Sequence, residues 1–350
     1  MTTATAARAT GPRHFLGLAD LSPARWSALL DAAERLAPRR AGGDLLAGKR
    51  LGLLLLAPSL RTRTTFELAA HELGAHVVHL PAGDGLWGLE HRAGVVMDGA
   101  AAEHLSEALG VLGRLVDGLG IRCFAGLTDA AADARDEFLT AAAAHSPVPV
   151  LSLESAREHP HQGLADALTV RRLTGGQRVK VALSWAPHVK PLPLAVPHSS
   201  LLAYAREGHD VVLAHPPGFE LDEGVLAAAQ EASSAAGGTL TVTHDRGAAL
   251  DGARVVHAKS WGRRDLYGDA DAGAAAVAAH PDWIVRADDL ARGDAARFLH
   301  CLPVRRGVVV EDAVLDGPAS AVLDLAEARL HVQKATLVST FSKLTPEDAP

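Results

Sequence analysis

The sequence predicts an α/β protein of two domains, each built on a mostly parallel sheet flanked by helices. Three observations carry that expectation. The 350 residues are enough for about two domains. Strand-like and helix-like patterns alternate through both halves, as parallel strands joined by helical crossovers require. Hydrophobic residues make up 48% of the chain, enough for substantial cores and too many for a disordered protein.

Residues 21–36 carry apolar side chains at helical spacing behind Ser22-Pro23, a proline suited to a first helical turn. Residues 51–57 form a leucine-rich apolar run, which suits a buried strand and falls far short of the roughly 20 residues of a membrane span. A helix is expected over 65–73, a strand over 76–80, an amphipathic helix over 103–119, and strands over 121–124 and 148–151. In the second half a strand over 179–185 leads into a proline-rich loop, 187–197, and a helix over 199–207. Strand 210–214, helix 224–236 and strands 239–244 and 254–258 follow. Runs 298–302 and 321–323 are expected to close the sheet before a final helix over 326–341. The pattern divides the chain into residues 1–157, 158–325 and a C-terminal segment, 326–350, with the joint near 159–172. The first 13 residues, rich in Ala and Thr without a secretory apolar core, read as a frayed tail.

Composition removes several function classes. The formal net charge of −7 gives no reason to expect a nucleic-acid or anionic-membrane face. Two cysteines, Cys123 and Cys301, cannot build a disulfide framework or a four-cysteine metal site, so a cytoplasmic protein is expected. Lysines number six against 28 arginines, which makes any lysine in a chemical segment stand out.

Three segments carry chemistry. Ser59-Leu60-Arg61-Thr62-Arg63-Thr64 lies between a buried strand and a helix, where parallel sheets bind ligands. Two arginines and no acid before Glu67 sit badly at the positive end of a helix dipole unless an anion compensates. Free N–H groups, three hydroxyls and two guanidinium forks describe a phosphate cradle. The local pattern equally fits a surface turn whose arginines pair elsewhere. Neither Gly-x-x-x-x-Gly-Lys nor Gly-x-Gly-x-x-Gly is present, which speaks against nucleotide loops.

His159-Pro160-His161-Gln162 opens an expected helix: His159 could donate to a carbonyl and Gln162 accept an amide hydrogen, although alone the segment reads as helix capping. The third segment runs Phe298-Leu299-His300-Cys301-Leu302-Pro303-Val304-Arg305-Arg306-Gly307, again at a sheet's carboxyl edge, with Cys301 read as a packed thiol. No metal site or cofactor is expected. In His71-Glu72-Leu73-Gly74-Ala75-His76 the second histidine is one residue too far to share a zinc-binding helix face.

Together the segments resemble the carbamoyltransferase family: Ser-x-Arg-Thr-Arg, His-Pro-x-Gln, then His-Cys-Leu-Pro followed by Arg-Gly, over nearly the whole chain. Trp87-Gly88-Leu89-Glu90, Val96-Met97-Asp98-Gly99 with Glu103-His104, Lys259-Ser260-Trp261-Gly262, and Arg329-Leu330-His331-Val332-Gln333-Lys334-Ala335 are similar to its N-acetylornithine and N-succinylornithine branch. The loop over 185–196 resembles the proline-rich loop that knots the chain in that branch, a rare topology.

The resemblance implies roles. Ser59, Leu60, Arg61, Thr62, Arg63 and Arg329 would hold the phosphate of carbamoyl phosphate. Arg122 and His159 would polarise its carbonyl, and Gln162 with the Cys301-Leu302 backbone would fix its amide. Glu154, Lys190, Lys259 and Arg305 would meet an ornithine-type amino acid, while Trp87 would reach a neighbouring subunit's site in a homotrimer. The expected reaction carbamoylates N-acetyl-L-ornithine in arginine biosynthesis, with ornithine, N-succinylornithine or another amine as alternatives, and a non-catalytic anion binder as a rival of another class. Departures fall on the acceptor side: Leu325 and Ala328 stand where the family has an acid and an amide, Val309 where the branch often has lysine, and His161 where cysteine is common.

Overall fold

A computed structural model of the chain describes residues 13–38, 44–83 and 87–342. All but the last residue of the expected tail lies outside that set. The first half contains β1 (Arg50–Leu55), β2 (His76–Pro81), the short pair β3 (Leu89–Glu90) and β4 (Glu103–His104), then β5 (Gly118–Arg122) and β6 (Val150–Glu154). Around them run α1 (Pro23–Leu36), α2 (Leu60–Glu72), α3 (Leu105–Leu115), α4 (Ala130–Arg135) and α5 (Glu137–His145). The second half follows α6 (Pro160–Thr174) with β7 (Lys180–Trp185), β8 (Asp210–Ala214), β9 (Thr239–Thr243), β10 (Val255–Lys259) and β11 (Arg297–Leu299). Its helices are α7 (Ala195–Arg206), α8 (Glu223–Ala235), α9 (Arg246–Leu250), α10 (Ala270–Ala278), α11 (Ala287–Ala291), α12 (Asp312–Leu315) and α13 (Val322–Phe341).

Two parallel sheets result, ordered β2-β1-β5-β6 and β11-β10-β7-β8-β9. Strand β1 is apolar and buried at every position after Arg50, because helices cover both faces of a parallel sheet. Registers such as Leu53 opposite His79 and Gly120 lock it between its neighbours. The expected two-domain α/β architecture is therefore the observed one.

Helix α6 lies at the centre of the molecule. Every residue from Pro160 to Val170 is buried, including His161, Gln162 and Asp166. Helices α7 and α13 both pack on it, and α13 also packs on α1 and α2. The α6–α7 approach is close enough to demand Gly163, since a Cβ there would stand 2.7 Å from the Ser199 carbonyl oxygen. Among the described residues no helix is long and apolar enough to cross a membrane.

Several elements differ from expectation. Helix α2 begins at Leu60 rather than residue 65, because the Ser59 hydroxyl accepts from the Thr62 N–H (3.1 Å) and caps it. The helix expected over 103–119 stops at Leu115. Asp117 there accepts from the Arg50 N–H (2.9 Å) and Lys49 (3.2 Å), and Gly118 enters the sheet beside Leu51. Val116 and Leu119, which extended the helical periodicity, instead fill the sheet core. Run 321–323 is no strand: Ala321 caps α13, and only Ser320 bridges to Phe298. The short α4, α5 and β3–β4 pair were not anticipated.

The proline-rich loop is tied to the chain after β10. Ser260 donates to the Pro187 carbonyl (2.9 Å), and the Gly262 N–H donates to that of Leu192 (2.9 Å). Gly262 is required here, since a Cβ would meet the Pro191 ring at 2.7 Å. Trp185 donates to the Trp261 carbonyl (2.9 Å) from beneath.

Candidate active site

Strand order reverses between β1 and β5 in one sheet and between β7 and β10 in the other. Loops leaving adjacent strands at such points diverge and open a crevice at the strands' carboxyl ends. Here both crevices empty into one cavity of about 750 Å³. Ser59, Leu60 and Arg61 follow β1, Arg122 ends β5 and Glu154 ends β6. From the second sheet come His188 and Lys190 after β7, Lys259 at the end of β10, and Cys301, Leu302 and Arg305 after β11. His159 and Gln162 enter from the start of α6, and Arg329 from α13.

The structure thus gathers most of the residues singled out in the sequence. Thr62 is fully buried beneath the lining, where its hydroxyl accepts from Arg329 Nη2 (2.8 Å) and Arg122 Nη1 (3.3 Å). Arg63 is exposed and lies outside the lining, as does Trp87, whose indole N–H donates to Glu103 (2.8 Å).

The cationic wall has a physical origin. Capping by Ser59 leaves the first N–H groups of α2 facing outward with no acid in that turn. Arg122 pairs with Glu154 and lies over the Phe124 ring, 4.6 Å from its centroid. Burial pushes the Arg329 guanidinium down to about 10, with Arg122 adding repulsion. Arg61 is shifted in the same direction, again chiefly by burial. The Nε atoms of Arg61, Arg122 and Arg329 are buried without a protein partner. Glu154 is the one carboxylate among the described lining residues, facing Arg61, Arg122, Lys190, Lys259, Arg305 and Arg329. Such a wall is built for an anion of more than one charge.

The neighbouring groups suit a carbonyl and an amide. His159 Nε2 lies 3.6 Å from Glu154, and burial, reinforced by Arg329 and Arg122, holds its pKa well below the usual value, so the ring is neutral. Gln162 donates from Nε2 to Asp166 (2.8 Å), leaving its buried Oε1 without a protein partner. Burial raises the Cys301 thiol, so this sulfur is a thiol lining the wall rather than a thiolate. Lys259 donates to the Ser260 carbonyl (2.7 Å) and is lowered by its burial. Leu302 adopts a φ of 55°, and its N–H donates to His300 Nδ1 (2.9 Å).

Two residues of this region went unread in the sequence. His188 accepts from Arg305 Nε at Nε2 (3.2 Å) while Nδ1 contacts the Lys190 carbonyl (3.0 Å), joining two loops remote in sequence. No local pattern marks it. Asp166 lies four residues after Gln162, a spacing that brings side chains together on a helix and could have drawn attention to it.

Family comparison agrees with this geometry. Residues 13–172 match the carbamoyl-P binding domain of aspartate/ornithine carbamoyltransferase, and residues 195–340 match its Asp/Orn binding domain. The chain belongs to the aspartate/ornithine carbamoyltransferase family. An N-acetylornithine carbamoyltransferase of Xanthomonas campestris pv. campestris is 40% identical over 95% of this chain and 99% of its own. An N-succinylornithine carbamoyltransferase of Bacteroides fragilis is 35% identical over 87% of this chain and 91% of its own. A solved acetylornithine transcarbamylase complexed with acetylcitrulline superposes with a TM-score of 0.92 at 40% identity, covering 95% of this carbamoyltransferase and 100% of that chain.

Proposed function

We propose that this carbamoyltransferase moves the carbamoyl group of carbamoyl phosphate to the side-chain amine of N-acetyl-L-ornithine, giving N-acetylcitrulline and phosphate. One observation carries the reading: the α2 N-terminus, Arg61 and Arg329 share a cavity with Arg122, His159 and Gln162. Phosphate donors thereby stand beside groups for a carbonyl and an amide.

In this reading Ser59, Leu60, Arg61, Thr62 and Arg329 hold the phosphate, while Arg63 stands exposed outside the cavity lining. Arg122 and His159 donate to the carbonyl oxygen, while Gln162 and the backbone of Cys301 and Leu302 receive the amide hydrogens. A neutral amine attacks, the C–O bond to phosphate breaks, and the proton shed by the amine ends on phosphate. No enzyme nucleophile takes part. Positioning contributes up to about 7–11 kcal/mol, and each donor to the developing oxyanion about 3–4 kcal/mol.

Charge at the mouth favours an acylated acceptor. Lys190, Lys259 and Arg305 offer partners to a carboxylate, whereas Glu154, the single carboxylate among the described lining residues, is already paired with Arg122. Free ornithine would bring an α-ammonium with no unpaired carboxylate to meet it; an N-acyl group removes that charge. The acylated substrates named for the relatives from Xanthomonas and Bacteroides support the same choice. Incubating pure protein with carbamoyl phosphate and ornithine, N-acetylornithine and N-succinylornithine, with products weighed by mass spectrometry, tests it. Ornithine outcompeting its acetylated form would overturn the acceptor assignment.

The same reading assigns arginine biosynthesis in the cytoplasm, domain limits at 157 and 325, a proline-rich loop threaded into a knot, and a trimer in which Trp87 completes a neighbour's site. The exposure of Trp87 outside its own cavity supports the last point. A fully active protein that is strictly monomeric by light scattering would contradict it.

A further inference from the structure

We propose that Asp166, held by Ser200, is a positioning residue that fixes which end of the Gln162 amide faces the substrate. The inference deepens the reading of Gln162 as the acceptor of a carbamoyl amide hydrogen, and it rests on that reading.

A glutamine amide presents an acceptor at one end and two donors at the other, and packing alone scarcely distinguishes them. For the carbamoyl NH₂, only the oxygen end is useful. Gln162 is fully buried at the start of α6, and its Nε2 donates to Asp166 Oδ1 (2.8 Å). Asp166, one turn further along and equally buried, uses Oδ2 to accept from the Ser200 hydroxyl on α7 (2.6 Å). Once ionised, above about pH 7, the Asp166 carboxylate accepts and never donates. It therefore admits the amide in one orientation, with Oε1 turned away from it, and this Oε1 is buried without a protein partner in a residue that lines the cavity.

The arrangement has a cost that packing does not repay. Among the described residues no cation stands within ion-pair distance of Asp166, and burial raises its carboxyl to about 7 against the hydrogen bonds from Ser200 and Gln162 and the attraction of Arg329. An apolar side chain would fill this place at less expense. The carboxylate also ties Gln162 to α7, the helix that directly follows the loop bearing Lys190.

The test is a mutant cycle on kcat/KM for carbamoyl phosphate, with the dissociation constant of inorganic phosphate as control for the cradle. Asp166→Ala is expected to lower kcat/KM ten- to a hundredfold, leaving phosphate affinity within about twofold. In a Gln162→Ala background the same change is expected to have no further effect, since no orientation remains to be fixed. Asp166→Asn, whose amide can face Gln162 with either end, should fall between. Should Asp166→Ala not fold, Ser200→Ala replaces it, with an expected loss of three- to tenfold, also absent in the Gln162→Ala background. Losses that multiply, a wild-type rate for Asp166→Ala, or phosphate affinity falling in step with the rate would overturn the proposal. If wild type carbamoylates no amine, the proposed function itself fails. A normal rate for Gln162→Ala removes the role of Gln162, and failure confined to Asp166 variants removes only the positioning.

Discussion

Replacing Arg61 by alanine separates the needs of catalysis from those of folding. The Arg61 side chain lines the cavity from the first turn of α2, its Nε is buried without a partner, and Arg122 repels it. A guanidinium fork on phosphate makes two charge-assisted hydrogen bonds of about 1.5–3 kcal/mol each. Their loss amounts to about 3–6 kcal/mol, or two to four orders of magnitude in kcat/KM. Among the described residues Arg61 makes no ion pair that folding would give up, and burial disfavours its charge. The expected outcome for Arg61→Ala is kcat/KM down by about a thousandfold with an unchanged or slightly higher melting temperature. Product formation followed by mass spectrometry and thermal unfolding with and without inorganic phosphate measure both, and phosphate should stabilise the wild type more than the variant. A rate within about tenfold of wild type, or a variant that unfolds well below it, would refute the assignment of Arg61 to the phosphate.

Glu158, buried against Gly17 and accepting from the Leu18 N–H (2.7 Å), is raised from 4.5 to about 7 chiefly by burial. The folded state thus holds this proton more tightly than the unfolded state. Its contribution is neutral below pH 4.5 and becomes a full penalty above pH 7, at most about 3 kcal/mol. Glu158→Gln should therefore raise the melting temperature at pH 8, with the gain vanishing near pH 4.5; an equal gain at both would argue against burial as the cause. Because the Cys301 sulfur is a thiol, Cys301→Ala should retain kcat within about tenfold, and no carbamoylated enzyme should be seen by intact mass. Lys334→Met should cost about 3–5 kcal/mol in urea unfolding, since Glu72 would lose its buried partner (2.8 Å). Adding Glu72→Gln should recover most of that loss, and no recovery would show that the ion pair is not its source.

The fold class was legible because buried parallel strands announce themselves as apolar runs, as β1 and β8 do. Elements failed where tertiary contacts overrode local pattern. The helix ending at Leu115 stops through Asp117 bonding to Lys49 and Arg50, partners 68 and 67 residues away in sequence that periodicity cannot see. For the site, dense runs such as Ser59–Arg63 or His159–Gln162 were readable because their chemistry is contiguous. His188 was not, since it matters through Arg305; Asp166 offered only its four-residue spacing from Gln162, and its role also runs through a hydroxyl on another helix. Side chains that act on other side chains leave little trace in a linear pattern.

Helix α13 gives the order of biosynthesis a consequence. It brings Arg329 to a cavity whose other walls are encoded earlier in the chain, and it covers α1, α2 and α6. Every strand of both sheets and the Ser59 cap of α2 precede this helix in the chain. Until it emerges, Thr62 lacks the Arg329 guanidinium and the apolar faces beneath α13 stand open to solvent. The anion site is therefore complete only once α13 has been made, and a chain cut short of α13 lacks one of the site's cations and leaves those apolar faces uncovered.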